Sequence, residues 1–340
     1  MEDRFARQTR FGQLGPEGQE ALGRSTVLIV GCGALGGVVA QWLCRAGVGR
    51  LLLVDRDIVE ETNLPRQVLF SAAHAAAGTP KAHATAETLA AVGGPTELVP
   101  HARHLDGALL AELGSDADLI LDGTDNMATR YLVNDHAVAT GTPWIYGGVV
   151  SGGGIVLPVV PGEHGPCLRC LFRDPPPPGT LPTCDTAGVI GPAVGAVASM
   201  EAGLALRILA GREPVEPGLV ELDAWNGTAR RLAVPRDPGC PCCGDREFPF
   251  LEGAEVTEAV SLCGRNTVQV LPAAGAPRPD VDALEESLGR AGTAVLRVGP
   301  LLRFEADGCR FTLFPDGRTL VEGTDDTGRA QALAARWIGA

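Results

Sequence analysis

Residues 27–37 read VLIVGCGALGG, an uninterrupted apolar run followed at once by glycines at positions 31, 33 and 36. An unbroken apolar run of this length is typical of a strand that is buried on both faces of a parallel sheet. The GxGxxG spacing after it lets a backbone approach phosphate groups at the start of a helix, and the pattern predicts that helix from Val38 to about Ala46. Strand, glycine turn and helix in this order predict the first unit of a Rossmann-like α/β fold.

Further apolar runs extend this unit into a sheet. Leu51–Val54 and Leu119–Asp122 alternate with helical patterns, and each leads to an acidic residue. This alternation predicts a doubly wound, mostly parallel sheet. β-Branched residues then predict strands over Trp144–Val150 and Gly154–Val160, which give the sheet an antiparallel extension.

A proline run interrupts this pattern after the predicted strands. The prolines at positions 175–178 cannot lie inside a helix or a sheet, so we expect an extended or mobile crossover from about residue 173 to 187. Beyond the crossover, residues 219–222 and 231–234 predict a hairpin that continues the antiparallel extension.

The chain changes character near residue 250, after a cysteine cluster. We expect residues 1–250 to form the α/β domain and residues 254–340 to form a small α+β domain of unknown role, without the site motifs. In this second domain the pattern predicts helices over Val281–Arg290 and Thr327–Ile338. Its predicted strands are Val268–Leu271, Thr293–Val298, Leu301–Glu305, Arg310–Phe314 and Thr319–Glu322.

The composition excludes several classes of protein. Of the 340 residues, 45% are hydrophobic and 20% are charged, which excludes a disordered chain. The net charge of −13 comes without a basic cluster, which argues against nucleic acid as the main ligand. No apolar run reaches the ~18 residues of a membrane span, and the N-terminus is charged. We therefore expect a soluble, cytoplasmic protein that binds neither nucleic acid nor membrane.

Charged residues cluster where the predicted parallel strands end, which is the edge at which open α/β sheets bind ligands. Asp55 follows the second strand and is placed to accept hydrogen bonds from a ribose. Arg66 and Lys81 come next, and a triphosphate needs such cations whereas a nicotinamide does not. Asp122 and Asp125 close the third strand, and one of these carboxylates could hold Mg²⁺. This pattern favours ATP with Mg²⁺ and leaves a nicotinamide-dependent oxidoreductase as the rival interpretation.

The sequence contains 10 cysteines, and in a chain expected to be cytoplasmic they point to metal or thiol chemistry rather than to disulfides. Two CxxC pairs, Cys167 with Cys170 and Cys240 with Cys243, are flanked by glycine and proline. Two such pairs predict a structural Zn²⁺ site with four thiolate ligands. Cys184 lies apart from them, within the predicted crossover.

An ordered set of motifs resembles one family. The motifs are GCGALGG (31–37), DRD (55–57), ETNLPRQ (61–67), GTPK (78–81) and DGTDN (122–126), together with the paired cysteines. The set resembles the ThiF and MoeB family, bacterial relatives of ubiquitin-activating enzymes, from residue 4 to about residue 246, and most of all its longer ThiF-type members with a C-terminal extension. The resemblance implies ATP-dependent adenylation of the C-terminal glycine of a ubiquitin-like sulfur-carrier protein that ends in Gly-Gly. Pyrophosphate leaves, and the carrier is prepared for thiocarboxylate formation.

The resemblance also implies roles for individual residues. Those implied to take part in the reaction are Arg7, Arg66, Lys81, Asp125 and Cys184. Those implied to bind the nucleotide are Gly31, Gly33, Ala34, Gly36, Asp55, Asp57, Asn63, Arg66, Gln67, Lys81, Asp125 and Asn126. Among these, Arg7 is implied to reach across a homodimer to the triphosphate of the other subunit. Cys184 is implied to capture the carrier covalently.

Three questions about partners stay open in the sequence. The expected carrier is of the ThiS type, which serves the thiamin thiazole, with a MoaD-type carrier for molybdopterin synthesis as the alternative. A non-catalytic scaffold that binds the carrier would keep the same fold. No rhodanese loop, a cysteine followed by four residues and an arginine, occurs after residue 250. We therefore expect a separate sulfur donor, a cysteine desulfurase or a rhodanese.

Overall fold

A computed structural model of the chain describes residues 4–162, 165–176, 180, 184–211, 217–251, 259–262, 266–272 and 279–338. The strands of its first sheet are β1 Thr26–Val30, β2 Arg50–Val54, β3 Glu97–His101, β4 Leu119–Asp122, β5 Trp144–Val150, β6 Gly153–Val159, β7 Leu219–Asp223 and β8 Thr228–Leu232. The helices of the same part of the chain are α1 Ala6–Thr9, α2 Gly15–Arg24, α3 Ala34–Ala46, α4 Ala72–Ala77, α5 Lys81–Ala90, α6 Gly107–Gly114, α7 Met127–Thr140, α8 Leu168–Leu171, α9 Cys184–Ala187 and α10 Gly191–Leu209. A 3₁₀ turn lies at Glu61–Asn63.

The first sheet has the strand order β3-β2-β1-β4-β5-β6-β7-β8. The pairs β1–β2, β1–β4, β2–β3 and β4–β5 are parallel, whereas β5–β6, β6–β7 and β7–β8 are antiparallel. The predicted doubly wound sheet with an antiparallel extension is therefore confirmed. The strand order reverses at β1 and β4, and the carboxyl ends of these two strands form the crevice in which such sheets bind ligands.

Hydrophobic cores cover both faces of the parallel strands, which explains their unbroken apolar sequences. In β1, Val27 and Ile29 face a core built with α3 and α10, whereas Leu28 and Val30 face a core built with α6 and α7. Burial of each side chain of this size stabilises the fold by about 1.5–3 kcal/mol. The strand ends that carry the candidate site are thus held by packing on both sides.

Helix α3 begins four residues earlier than predicted, at Ala34 rather than Val38. The glycines of the motif explain the difference. A Cβ atom on Gly36 would overlap the carbonyl oxygen of Gly31, so this part of the helix can lie directly against the end of β1. The glycines therefore belong to the helix, where their lack of a side chain permits close packing.

Several other predicted strand bounds differ by one or two residues; the strand predicted over Thr293–Val298, for example, begins at Val295. Two further predictions differ more. The second strand of the hairpin is Thr228–Leu232 rather than residues 231–234. The Asp223 carboxylate accepts a hydrogen bond from the Asn226 backbone N–H, which closes a short turn and brings the second strand forward. Part of the predicted crossover lies outside the described residues, and its last residues, 184–187, form the helical turn α9 rather than an extended segment.

Helix α10 is long and apolar enough to cross a membrane, and no other helix of the described ranges meets that test. In the structure it is a core helix. Val194, Val197, Ala198 and Ala202 are buried in the same cluster as β1 and α3. Its apolar composition is therefore explained by packing against the first sheet.

The second sheet lies in the C-terminal unit, which comprises the described residues between 259 and 338. Its strands and helices are β9 Ala259–Leu262, β10 Thr267–Val270, α11 Val281–Arg290, β11 Val295–Val298, β12 Leu301–Ala306, β13 Cys309–Leu313, β14 Thr319–Glu322 and α12 Thr327–Ile338. The strand order is β11-β12-β13-β14-β10-β9, and every pair is antiparallel. The two helices have the predicted bounds, and the α+β character of this region is confirmed.

Candidate functional site

The turn between β1 and α3 is built by backbones in direct contact. Gly31 has a φ of +86°, and a Cβ atom there would lie 2.7 Å from the carbonyl group of Gly123 at the end of β4. At position 33, by contrast, packing within the chain does not require a glycine. A Cβ atom on Gly33 would meet only the Gln67 side chain, at 3.6 Å. Gly33 and Ala34 thus leave the N-terminus of a 13-residue helix open to an anion.

Asp55 at the end of β2 holds this turn in place. One carboxylate oxygen accepts from the Cys32 backbone N–H at 2.7 Å and the other from the Asp57 backbone N–H at 2.7 Å. Burial raises the pKa of Asp55, and the positive charge of Lys81 opposes that effect. The carboxylate therefore links the glycine turn to the segment after β2, with lone pairs left for the hydroxyl groups of a ribose.

Lys81 begins α5 and points back towards the same strand end. Its Nζ atom lies 3.1 Å from Oδ2 of Asp57, and its side chain is 11% exposed. Burial lowers the pKa of Lys81, but the carboxylates of Asp57 and Asp55 outweigh burial and raise it to about 12. Lys81 is therefore a fixed, permanently charged cation at physiological pH.

The loop that carries the ETNLPRQ motif brings amide groups to the glycine turn. Oδ1 of Asn63 accepts from the Glu60 backbone N–H at 3.0 Å, so this buried side chain shapes the loop. Gln67 is also buried, and its Oε1 atom has no hydrogen-bond partner among the described residues. Because a buried polar atom is rarely left unpaired, this orphan oxygen beside Gly33 indicates a place for a ligand donor. Arg66 donates to the Thr62 carbonyl at 2.8 Å and is partly exposed.

The end of β4 contributes two carboxylates with different roles. Asp122 is buried and fully engaged, since it accepts from Arg130 Nε at 2.8 Å and from both the backbone and the hydroxyl of Thr124. Asp125 is exposed, and its charge raises the pKa values of both Lys81 and Arg130. Asp125 is thus the carboxylate of this strand end that remains accessible to a metal–phosphate group. Asn126 caps α7 by accepting from the Thr129 backbone N–H at 2.9 Å.

Arg130 is the residue of this region that the sequence analysis missed. Besides Asp122, it donates to the carbonyl groups of Thr124 at 2.6 Å and Gly147 at 2.9 Å, and so joins the ends of β4 and β5. Its place four residues after the N-cap Asn126 directs the side chain back to the preceding strand end, but no motif in the sequence marks the residue.

Arg7 lies away from the other predicted site residues within one chain. It is exposed on α1, a helix that packs near the C-terminal end of α3 through a hydrogen bond from Gln8 to the Ala46 carbonyl at 2.9 Å. The glycine turn is at the opposite end of α3, about 20 Å away for a helix of this length. One chain alone therefore does not bring Arg7 to its own glycine turn.

The four paired cysteines come together as one group. Their Sγ atoms all lie within 4.8 Å of one another, with 3.6 Å between Cys167 and Cys240 and 3.4 Å between Cys170 and Cys243. A tetrahedral site with metal–sulfur bonds of about 2.3 Å needs sulfur atoms at this kind of separation. Cys242 is not one of these four, and its Sγ accepts from the Asn134 side chain at 3.2 Å. The four thiols form a group that can hold a metal ion, as the spacing predicts.

The family follows from comparison with known proteins. The ThiF family profile matches residues 5–242. This chain belongs to the ThiF family. It is 40% identical over 341 residues to the sulfur carrier protein ThiS adenylyltransferase of Bacillus subtilis (strain 168), with all of both chains covered. It is 43% identical over 267 residues to the sulfur carrier protein adenylyltransferase of Thermus thermophilus, which covers 77% of this chain and 96% of that one. The crystal structure of E. coli MccB with ATP shares the fold, with a TM-score of 0.62 and 23% identity over 72% of this chain and 75% of that chain.

This ThiF-family chain has an open cleft beside the crossover. The cleft has a volume of about 630 Å³ and lies between the β5–β6 turn at Ser151, the segment after α9 at Val189, and Trp225 of the β7–β8 hairpin. Trp225 is 77% exposed, an unusual state for so large an apolar side chain. Cys184 is the first residue of α9, and its side chain lies outside the part of the chain that the structure describes.

Proposed function

We propose that this chain is an ATP-dependent adenylyltransferase that joins AMP to the C-terminal glycine of a ubiquitin-like sulfur carrier of the ThiS type. The observation that carries the proposal is the 40% identity, over the whole of both chains, to a sulfur carrier protein ThiS adenylyltransferase. The buried cation Lys81, beside a glycine turn with an open helix N-terminus, supports it. A nicotinamide site does not call for such a cation.

Electrostatics supplies most of the catalysis in this proposal. A C-terminal carboxylate has a pKa of about 3.5, so it is ionised at neutral pH and needs no general base. The difficulty lies in bringing this anion to an anionic phosphate. Lys81 and Arg66 offset the repulsion and stabilise the charge that develops on pyrophosphate. Asp125 would help to hold Mg²⁺, which would neutralise further phosphate charge. The α3 N-terminus contributes further positive potential through its unpaired backbone N–H groups.

The remaining site residues position the nucleotide. Gly31, Gly33, Ala34 and Gly36 let the phosphates approach the backbone, and Asp55 accepts from the ribose. Asp57 holds Lys81, and Asn63 and Asn126 shape the two loops at the strand ends. The Oε1 atom of Gln67 accepts from the nucleotide, since no described residue pairs with it. The partner subunit's Arg7 completes the triphosphate site in a homodimer. Support for this comes from the exposure of Arg7 and its position at the far end of α3.

The cleft beside Trp225 is the proposed path for the carrier's C-terminal tail. Its walls include Gly152 and Gly153, and its volume of about 630 Å³ gives room for an extended Gly-Gly segment. The helical turn α9, which begins at Cys184, lies next to the cleft, and we assign Cys184 to covalent capture of the activated carrier. The sulfur itself comes from a separate donor protein, a cysteine desulfurase or a rhodanese.

The four-cysteine group is proposed to hold one structural Zn²⁺. Thiolate ligands in two CxxC turns are the donor set that zinc prefers, and the backbone N–H of Asp237 donates to the sulfur of Cys170 at 3.4 Å, as in such sites. The metal would tie residues near α8 to the end of the first domain, which we place at about residue 250. A cytoplasmic location is part of the same proposal, since free thiols persist in a reducing compartment.

The experiment that tests the function is pyrophosphate exchange. Labelled pyrophosphate should enter ATP when Mg²⁺ and a ThiS-type carrier are present, and exchange should fall to background with a carrier that lacks its last glycine. Exchange without any carrier, or none with a ThiS- or MoaD-type carrier, would contradict the proposal. Titration with NADH separates the rival oxidoreductase, which should bind that nucleotide in preference to ATP.

A further inference from the structure

The turn between β13 and β14 connects the C-terminal unit to the candidate nucleotide site. This turn, residues 314–319, packs against the segment after β2, residues 55–58. The segment contains Asp55, which holds the glycine turn, and Asp57, which pairs with Lys81. The contact therefore brings the second sheet next to carboxylates that we assign to nucleotide binding.

Arg318 makes the central contact. Its Nη2 atom donates a hydrogen bond to the carbonyl oxygen of Arg56, and its Nη1 atom lies 3.4 Å from Oε1 of Gln269. The guanidinium carbon lies 3.4 Å from the centre of the Phe314 ring. Arg318 is 1% exposed, although arginine is almost never fully buried unless it is paired. Burial lowers its pKa to about 10, which still leaves it charged at neutral pH.

Two further contacts fix the turn against the first sheet. Phe314 packs in an apolar cluster with Ile58, which belongs to the same segment as Asp57. Asp316 accepts a hydrogen bond from the His104 backbone N–H at 3.2 Å and another from the Arg318 backbone N–H at 3.1 Å. The Phe314–Ile58 contact and the hydrogen bond from the His104 backbone N–H to Asp316 thus hold the turn beside the Arg318 contact.

The opposite side of the segment is held from within the first domain. The Lys81 backbone N–H donates to the Asp57 carbonyl at 2.9 Å, and Ile58 forms an isolated antiparallel bridge with Pro80. The Arg56 carbonyl, between the two carboxylates, is bonded by Arg318 instead. Because Asp55 and Asp57 flank Arg56 in the chain, rotation of the peptide groups at Arg56 would redirect both carboxylates.

We propose that Arg318 is a positioning residue for nucleotide binding, which holds the Arg56 carbonyl and so fixes the direction of Asp55 and Asp57. This inference rests on the proposed function, because that function assigns the two carboxylates to the nucleotide site. It gives the C-terminal unit a task in the reaction, although the unit carries none of the site motifs.

The test measures ATP affinity in the full chain. Arg318→Met keeps an unbranched side chain against Phe314 but removes the hydrogen bond and the charge. Loss of one charge-assisted bond at a buried site corresponds to about tenfold or more in an equilibrium constant. We expect the Kd for MgATP, measured by calorimetry, to rise about tenfold. The exchange rate at saturating ATP and carrier should stay within about threefold of the wild type, because Arg318 does not touch the reacting groups.

Arg303→Met is the matched control. Arg303 also joins the two parts of the chain, but it donates to the Ala77 carbonyl at 2.7 Å and to the Thr312 hydroxyl at 3.1 Å rather than to the 55–58 segment. Its substitution should leave the Kd for ATP within about twofold. Arg318→Lys, which keeps the charge and one donor, should restore part of the affinity that Arg318→Met loses. If Arg303→Met lost as much affinity for ATP as Arg318→Met, the positioning role would be overturned. Breaking any bond between the two parts of the chain would then be enough to weaken ATP binding.

The remaining outcomes are also decisive. An unchanged Kd in folded Arg318→Met overturns the inference. If that variant does not fold, Asp316→Ala replaces it, and we expect about a threefold higher Kd with an unchanged saturated rate; an unchanged Kd there overturns the inference as well. A wild-type chain that binds no ATP refutes the proposed function and the inference together. Wild-type ATP binding with an unaffected Arg318→Met refutes the inference alone.

Discussion

Lys81 offers a direct test of how the site works, because it pairs with a carboxylate and is also assigned to the phosphates. In Lys81→Met the cation is lost while most of the buried stem remains. The ordinary lysine pKa of 10.5 rises to about 12 in the fold, and this difference corresponds to about 2 kcal/mol in favour of the charged amine. Asp57 is half exposed, so we expect the free energy of unfolding to fall by only about 1–2 kcal/mol.

The direction of the pKa shift of Lys81 determines how the stability loss in Lys81→Met depends on pH. The pKa of Lys81 is raised in the fold, so its contribution is complete below pH 10.5 and disappears as the pH rises through about 12. Denaturant titrations of the wild type and of Lys81→Met should therefore differ by the same amount at pH 7 and pH 9. A difference that vanished at pH 9 would show that Lys81 is not held as the structure shows.

The effect on the reaction should be much larger than the effect on stability. Removal of a charge that stabilises a transition state costs about 10²-fold or more in rate, so pyrophosphate exchange should fall by at least that factor. Asp57→Asn is the matched control, since it removes the same ion pair but keeps the cation, and exchange should fall by about tenfold or less.

The double variant decides between two explanations of Lys81. If Lys81 only neutralises Asp57, then Lys81→Met combined with Asp57→Asn should recover the exchange rate of Asp57→Asn alone. If Lys81 acts on the phosphates, the double variant should stay as slow as Lys81→Met. If the exchange rate of the double variant recovered to within about threefold of that of Asp57→Asn, the role of Lys81 at the phosphates would be refuted.

Other parts of the proposal make separate predictions. The chain should bind one zinc ion, which metal analysis should find lost in Cys240→Ser and kept in Cys242→Ser; release from the latter would disprove the ligand set. Mixing inactive Arg7→Ala with inactive Lys81→Ala should restore some exchange, since a mixed dimer has one site with both residues; no rescue despite demonstrated subunit exchange would count against a shared site. Cys184→Ala should retain exchange but lose any thiol-sensitive adduct with the carrier on non-reducing gels, and an adduct that persists would assign that link to another residue.

The parts of the fold that could be predicted are those in which local pattern and tertiary role agree. The apolar runs of β1, β2 and β4 are buried on both faces, and the turn glycines are required by backbone contacts, so both features are visible in the sequence. Helix α10 and strand β3 were missed for a physical reason. The helix is apolar around much of its surface, and the edge strand Glu97–His101 contains a proline and no fully buried residue, so neither has a clear period.

The candidate site residues also divide into those that the sequence marks and those that it does not. The glycines, Asp55, Lys81 and the cysteine group are marked by motifs whose spacing reflects their chemistry. Arg130 and Arg318 are not marked in this way, because each acts through a backbone carbonyl that is distant in sequence, at Gly147 and at Arg56. Bonds to backbone atoms place no demand on the residue type of the partner. Such residues therefore become visible only once the fold brings the two segments together.

The proposed Zn²⁺ would also change the unfolded chain. It would join positions near 170 and 240, so the chain between them would become a closed loop of about 70 residues, which lowers the entropy of the unfolded chain by the equivalent of about 4 kcal/mol. That loop contains α9, α10 and the β7–β8 hairpin, and residues from the end of α9 to Ile190 and from the hairpin line the cleft. With its ends tethered, the loop has far fewer disordered conformations to adopt. Unfolding of these elements would therefore gain less entropy, which favours the folded arrangement around the cleft.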